Sequence, residues 1–248
     1  MHGIRDTDQP NPDSGANTIA DVKRTMIATA LAMLILGASP ARASWPDTPV
    51  ARLEVLAELQ TLNADLLSHD SATLTLDRWC ARHHLADGAK IVADRVRGSD
   101  KPAPAAVREQ LHAGTDQVVA YRRVKLRCGQ HVLSEADNWY LPSRLTPDMI
   151  RTLDTSDTPF GRVVQPLRFQ RHTVSAKLLW SPLPEGWDDG GSTLPQAKPG
   201  ASLAIPDGVI EHQALLTRAD GEPFSYVIET YTGAVLDFPP SFSRSPVP

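Results

Sequence analysis

Arg122-Arg123-Val124-Lys125-Leu126-Arg127-Cys128, then a short turn and Ala136-Asp137-Asn138-Trp139-Tyr140-Leu141-Pro142, reads as the two antiparallel strands of one hairpin. Strand side chains alternate with period two, so Val118, Ala120, Val124, Leu126 and Cys128 share a face. Arg122 falls on that same apolar face. A guanidinium keeps its proton and is costly to bury without an anion. Arg122 therefore either pairs with an internal carboxylate or lines a pocket that takes an anionic ligand.

Downstream of this hairpin the pattern stays extended. Residues 163–180 read as one or two strands ending at Trp180, and a second hairpin covers 209–218 and 224–236 around the turn Ala219-Asp220-Gly221-Glu222. Between them, 181–204 is a proline- and glycine-rich loop expected to lie on the surface without regular structure. Upstream the period changes to that of a helix. Thr48-Pro49 caps a helix over 49–68, in which Val55, Leu59, Leu62 and Leu66 recur on one face. Asp70-Ser71-Ala72-Thr73 stops it and caps a second helix from Leu74 to His84. A strand over 88–97, a short helix over 104–112, a helix capped by Thr146-Pro147-Asp148 and a turn or helix start at Thr158-Pro159-Phe160-Gly161-Arg162 complete the pattern. Helices first and hairpin-linked strands after them predict an α+β domain: a single antiparallel sheet of about six strands with N-terminal and flanking helices.

At 248 residues and 41% hydrophobic, the chain suits one globular domain. Its net charge of -4 offers no basic excess for nucleic acid. The first 43 residues read as a leader outside the fold. Lys23-Arg24, an apolar run from Met26 to Gly37 and the small-x-small site Ala41-Arg42-Ala43 form a secretory signal over 23–43, with Ser44 as the first mature residue. The apolar run is too short to span a bilayer, which needs about 20 residues. Export to the periplasm is expected, with no stable membrane span after cleavage. The domain then covers 44–238, a Pro/Ser-rich tail covers 239–248, and a monomer is expected. In an oxidising compartment Cys80 and Cys128 either form one disulfide or remain buried thiols. No histidine spacing suggests a metal, and no GxSxG frames Ser71 as a nucleophile.

Five stretches in order resemble the chorismate lyase-like family. They are the Asp70-Ser71-Ala72-Thr73 segment after a Leu-rich helix, Arg122-Arg123-Val124-Lys125-Leu126, Ala136 to Pro142, Thr158 to Arg162, and Gly221-Glu222-Pro223 with Glu229. The resemblance implies helices that enclose a small internal pocket against the sheet. It also implies cofactor-independent carbon–oxygen lyase chemistry, in which pyruvate leaves chorismate or a related compound to give 4-hydroxybenzoate or a similar aromatic acid. In that picture a strand arginine binds the substrate carboxylate and a strand glutamate acts at the far side of the ring. Arg122 takes the first role by face and pattern, while a gapless match lands on Arg123. Glu229 takes the second if one residue is inserted after Pro223; otherwise the position falls on Ile228. Asn138 stands where the lyases carry a second arginine, which removes a cation and puts a dicarboxylate substrate in doubt.

Two functions follow. As an enzyme, the protein would use Arg122 and Glu229 as catalytic residues, with Arg122, Arg123 and Asn138 contacting substrate and a protonated Glu229 donating to the departing ether oxygen. As a non-catalytic exported protein, it would hold a small aromatic carboxylate in the same pocket. Both readings place Arg122 and Glu229 in one enclosed, benzoate-sized cavity between the sheet and the helix pair 49–84, with Asn138 in its wall. The plain alternative is an internal salt bridge between Arg122 and Glu229.

Overall fold

The computed structural model describes residues 44–241, apart from residues 89 and 99. The leader, its signal sequence and most of the 239–248 tail lie outside the described residues.

The chain is α+β, as the element pattern predicts. Helices α1 (Pro49–Leu67) and α2 (Ala72–Arg82) come first, then β1 (Val92–Val96) and a short α3 (Ala105–Gln110). The hairpin β2 (Ala120–Cys128) and β3 (His131–Tyr140) leads to α4 (Pro147–Thr155) and α5 (Phe160–Val163). Strands β4 (Gln170–Leu178), β5 (Gly208–Thr217) and β6 (Pro223–Thr232) close the fold. All six strands form one antiparallel sheet in the order β1-β2-β3-β6-β5-β4.

Local chemistry sets the helix starts. Thr48, Ser71 and Thr146 each accept a backbone N–H of the first turn in α1, α2 and α4. Proline follows directly at the start of α1 and α4, where its missing N–H costs nothing. The α1 face carrying Val55, Leu59, Leu62 and Leu66 is wholly buried. It packs with Leu76 and Trp79 of α2 and with Val124, Leu126 and Tyr231 of the sheet in one core. Trp45 and Trp79 donate their indole N–H groups to the carbonyls of Leu236 and Val235, so the chain's end is tied to both ends of the helical layer.

The structure changes several expectations. Val118 is exposed and precedes β2, so it is not part of the apolar strand face. Residues 165–167 form a 3-10 turn and β4 starts only at Gln170. The final strand ends at Thr232, and Gly233–Leu236 wind into a 3-10 turn capped by the Thr232 hydroxyl. The loop 181–204 has no helix or strand, yet it is tied down near its end. Ala201 and Leu203 exchange backbone hydrogen bonds with Asp47 and Trp45, and Leu183 is buried. Cys80 and Cys128 form a disulfide with their Cα atoms 6.4 Å apart, tying α2 to the end of β2.

Candidate functional site

The register of the sheet sets three cross-strand rows on the face below the helices. Arg122, Asn138, Val227 and Ala214 form one row. Val124, Ala136, Glu229 and His212 form the next row, one step closer to the β2–β3 turn. On the other side, Tyr140, Ser225, Leu216 and Arg171 form the third. Arg122, Asn138, Arg171 and Glu229 all line one small cavity of about 50 Å³. Its roof is Asp70–Thr73, at the start of α2, together with Phe160 and Gly161 of α5. Helix α1 does not contribute to the lining, so the cavity lies under the start of α2 and α5 rather than under the whole helix pair.

Arg122 is 2% exposed. Its Nη1 donates to the Leu153 carbonyl at 3.0 Å and its Nη2 to that of Thr158 at 3.4 Å. The first carbonyl belongs to the last turn of α4, where the helix dipole is negative and backbone acceptors lack intrahelical partners. No ion pair to a carboxylate forms at Arg122 among the described residues, and its buried Nε has no hydrogen-bond partner. Burial lowers the pKa of this guanidinium and the nearby Arg95 charge lowers it further, against opposing pulls from Tyr140, Asp154 and Asp157. A salt bridge between Arg122 and Glu229 is therefore not what the structure contains.

Glu229 pairs instead with Arg171, whose Nη2 donates to its Oε2 at 2.6 Å. The Tyr231 hydroxyl donates to the same oxygen at 3.1 Å. Both side chains of the ion pair are under 10% exposed, at 4% and 7%. Burial works against the Arg171 charge, but attraction to Glu229 and Tyr231 and the hydrogen bond to Glu229 outweigh it, so its pKa lies above the ordinary value. Desolvation, reinforced by Glu229, raises the Tyr231 phenol well above its ordinary value. With two donors on one oxygen, Glu229 is an acceptor in this arrangement. Its neighbour Ile228 lies on the opposite face, so the acid on this strand is Glu229.

Arg123 points to the other face of the sheet, where it pairs with Glu135 at 3.0 Å and Asp137 at 3.6 Å. It lines a separate outer groove and is removed from the site. Asn138 is 4% exposed, and its Oδ1 accepts from the Ser225 hydroxyl at 2.6 Å. Ser71 and Thr73 bring hydroxyls to the cavity roof. A methyl group on Gly161 would stand 3.2 Å from the Thr73 Oγ1 and 3.3 Å from the Ser71 Oγ, so this glycine keeps the roof close to the sheet.

Beyond the roof, a second concavity of about 210 Å³ shares Asp70, Ser71 and Phe169 with the first and adds Arg78 and Arg168. A dry cavity that accepts benzene has a volume of about 150 Å³. The inner cavity alone is thus smaller than the benzoate-sized space expected, and a ring would have to extend past Phe169 into the outer one.

Arg171, Phe169 and Gly161 were not legible as site residues. Gln170-Arg171-His172-Thr173 carries no apolar alternation, because β4 is an edge strand with most of its residues exposed.

Comparison with known proteins adds one firm relationship. The chain is 56% identical over 196 residues to the uncharacterized protein y4mC of Sinorhizobium fredii, covering 79% of this chain and 82% of that one. It belongs to the y4mC family. A scan of protein-family models finds no match. Among solved structures, the effector domain of PhnF from Mycobacterium smegmatis superposes with a TM-score of 0.41 at 14% identity, over 66% of this chain and 89% of that one. The possible transcriptional regulator YydK from Bacillus subtilis gives a TM-score of 0.34 at 14% identity, with 57% of this chain covered and 58% of that chain, less than two thirds of its length. Overlap this partial carries no argument about ligand or chemistry. What the y4mC family binds has to be read from the site itself. Among the described residues, no group of three or more His, Cys, Asp or Glu could hold a metal, and no helix is long and apolar enough to cross a membrane.

Proposed function

We propose that this protein binds a small organic carboxylate, with the carboxylate group on Arg122 and a ring or chain directed past Phe169 into the outer concavity. One observation carries the reading: Arg122 is a buried cation on a cavity wall, with an unsatisfied Nε and no carboxylate of its own among the described residues. Two backbone carbonyls compensate a guanidinium only in part, whereas a carboxylate offers two charged acceptors. The resemblance to chorismate lyase-like proteins suggests an aromatic acid such as 4-hydroxybenzoate. Titrating 4-hydroxybenzoate into the protein by calorimetry tests this; absence of binding heat at millimolar ligand would remove it.

A second reading, lyase activity on chorismate, is favoured by Arg122 and Glu229 lining the same cavity. Against it stand the engagement of Glu229 by Arg171 and Tyr231 and the amide of Asn138 at the position of a family arginine. Incubation with chorismate, following 4-hydroxybenzoate and pyruvate together, separates catalysis from binding.

The proposed setting is the periplasm. The signal pattern over 23–43 supports it, and so does the Cys80–Cys128 disulfide, a bond typical of oxidising compartments. N-terminal sequencing of protein from fractionated cells should find Ser44 first. A terminus at Met1 or Met26 in the cytosol would overturn export.

A further inference from the structure

The inner cavity and the outer concavity carry more positive charge than they cancel. Together their lining holds four arginines and two carboxylates. At the inner end Arg171 is engaged by Glu229, and Arg122 has no carboxylate partner among the described residues. At the outer end Arg78 and Arg168 stand against one acid, Asp70, whose Oδ1 already accepts the backbone N–H of Arg171 at 2.9 Å. Neither Arg78 nor Arg168 forms an ion pair among the described residues. One positive charge is thus uncompensated at each end. A ligand with a single carboxylate on Arg122 answers only the inner one.

The two outer arginines come from different elements. Arg78 lies on α2, where its Nη2 donates to the Thr75 Oγ1 at 3.0 Å. Thr75 is fully buried, so this bond orients the guanidinium and leaves its other N–H groups to a ligand. Arg168 follows the 3-10 turn at 165–167 with a left-handed backbone, φ 49° and ψ 46°, a conformation that favours glycine. That turn sends Phe169 into the core beside Phe224 and keeps the Arg168 side chain exposed at the rim. Ser71, shared by both concavities, accepts the Leu74 N–H on its Oγ, so its O–H remains to donate. Two guanidinium forks and a hydroxyl offer more donors than the two coplanar oxygens of a carboxylate take up. A sulfonate or sulfate ester presents three oxygens around a tetrahedral centre and carries a single charge. It matches both the donors and the one uncompensated cation, and it avoids setting a second negative charge against Asp70.

We infer that the outer concavity is a second anion subsite, in which Arg78 and Arg168 hold a group of the sulfonate or sulfate-ester class at the far end of the ligand. The inference rests on the proposed carboxylate binding at Arg122 and names what that ligand carries at its other end.

The test compares benzoate, terephthalate, 4-sulfobenzoate and benzenesulfonate by calorimetry on the wild-type protein. 4-Sulfobenzoate should bind at least about tenfold more tightly than benzoate, and about threefold more tightly than terephthalate, which has the same charge. In Arg78→Gln and in Arg168→Gln, checked for folding by circular dichroism, the gap to benzoate should shrink to within about threefold. Benzoate binding with no gain for 4-sulfobenzoate overturns the subsite and leaves carboxylate binding at Arg122 standing. Equal affinity for 4-sulfobenzoate and benzenesulfonate overturns the carboxylate at Arg122, and the two-ended ligand with it. Binding of none of the four overturns both. Terephthalate binding as tightly as 4-sulfobenzoate removes the sulfonate class. A full gap in both folded variants removes the two arginines from the role. Should a variant fail to fold, the salt dependence of the wild type serves instead. The gap should narrow between about 0.01 M and about 0.15 M salt, because the two outer arginines are exposed. A gap that ignores salt counts equally against the assignment.

Discussion

Arg171 on β4 and Glu229 on β6 form an ion pair at 2.6 Å across the intervening strand β5. Their rows are not adjacent: Arg171 aligns with Leu216, and Glu229 with His212. The β5 residue between those two on the same face is Ala214, fully buried, and its small side chain leaves the path open. The pair therefore joins the sheet's edge to its centre beneath the start of α2, whose Asp70 holds the Arg171 backbone.

Removing one partner leaves the other charged and buried, so Arg171→Met or Glu229→Leu alone should each lower unfolding free energy by about 3–5 kcal/mol. The double variant should recover to within about 1–2 kcal/mol of the wild type, because both charges are then gone. Urea denaturation of the four proteins measures this. Additive losses in the double variant would mean that the two side chains contribute independently and the pair is not the unit described.

Arg122 should behave in the opposite way. It leaves no carboxylate stranded when it is removed, and burial already penalises its charge. Arg122→Met should keep stability within about 1 kcal/mol of the wild type, because the hydrogen bonds lost to Leu153 and Thr158 are offset by relief of desolvation. Affinity for 4-hydroxybenzoate should fall by about 2–5 kcal/mol. A large stability loss with unchanged affinity would make Arg122 a cap for the end of α4 and nothing more.

What could be read in advance follows from which faces carry a periodic signal. In β2 the residues Val124, Leu126 and Cys128 placed Arg122 on the apolar face, where the structure buries it, whereas Arg123, kept as the alternative by the gapless match, turns out to face the other side of the sheet. The six-stranded antiparallel sheet follows from two clear hairpins and a helical first third. Glu229 was reached only through the family resemblance, with one residue inserted after Pro223, and the structure places it on the cavity wall. Its partner was not legible. Arg171 sits on an edge strand whose exposed, polar neighbours carry no alternation, and it reaches the core only by spanning β5. Sequence spacing has no term for such a diagonal contact. For the same reason, Arg122 and Glu229, both inward and one row apart, suggested a pair to each other.

The Cys80–Cys128 bond closes 48 residues of chain separation between α2 and the end of β2. In the chain-entropy account, a loop of that length stabilises the fold by about 4 kcal/mol. Reduction, or Cys80→Ala with Cys128→Ala, should therefore lower the urea midpoint markedly while the folded protein still binds ligand, since neither cysteine lines the cavity. Mass spectrometry before and after reduction, with thiol alkylation, confirms the bonded state in the starting material. Two thiols alkylated without reductant in freshly isolated protein would contradict the disulfide.

The last prediction concerns pH. His212 is fully buried beside Glu229 on β5, its Nε2 lies 2.8 Å from the Asn63 Oδ1, and its Nδ1 has no partner. Tyr231 stands edge-on to its ring at 5.5 Å. Burial lowers its pKa below the ordinary 6.5, and the Arg171 charge lowers it further, with Glu229 pulling the other way. The unfolded chain thus takes up a proton as pH falls through about 6.5, while the folded protein resists it. Unfolding is favoured across that window, from about 6.5 down to the lowered folded value, with a slope of at most about 1.4 kcal/mol per pH unit. Above it the contribution is constant. Carboxylates held low by cations, such as Asp94 beside Arg127 and Glu135 beside Lys125, lose their contribution only in stronger acid, as pH falls through their own lowered values. His212→Gln can keep a donor for Asn63 and does not titrate. Urea denaturation at several pH values between about 5 and 8 should show the wild type losing stability relative to His212→Gln below about 6.5. Parallel curves for the two proteins across that range would remove His212 as the source of the acid sensitivity.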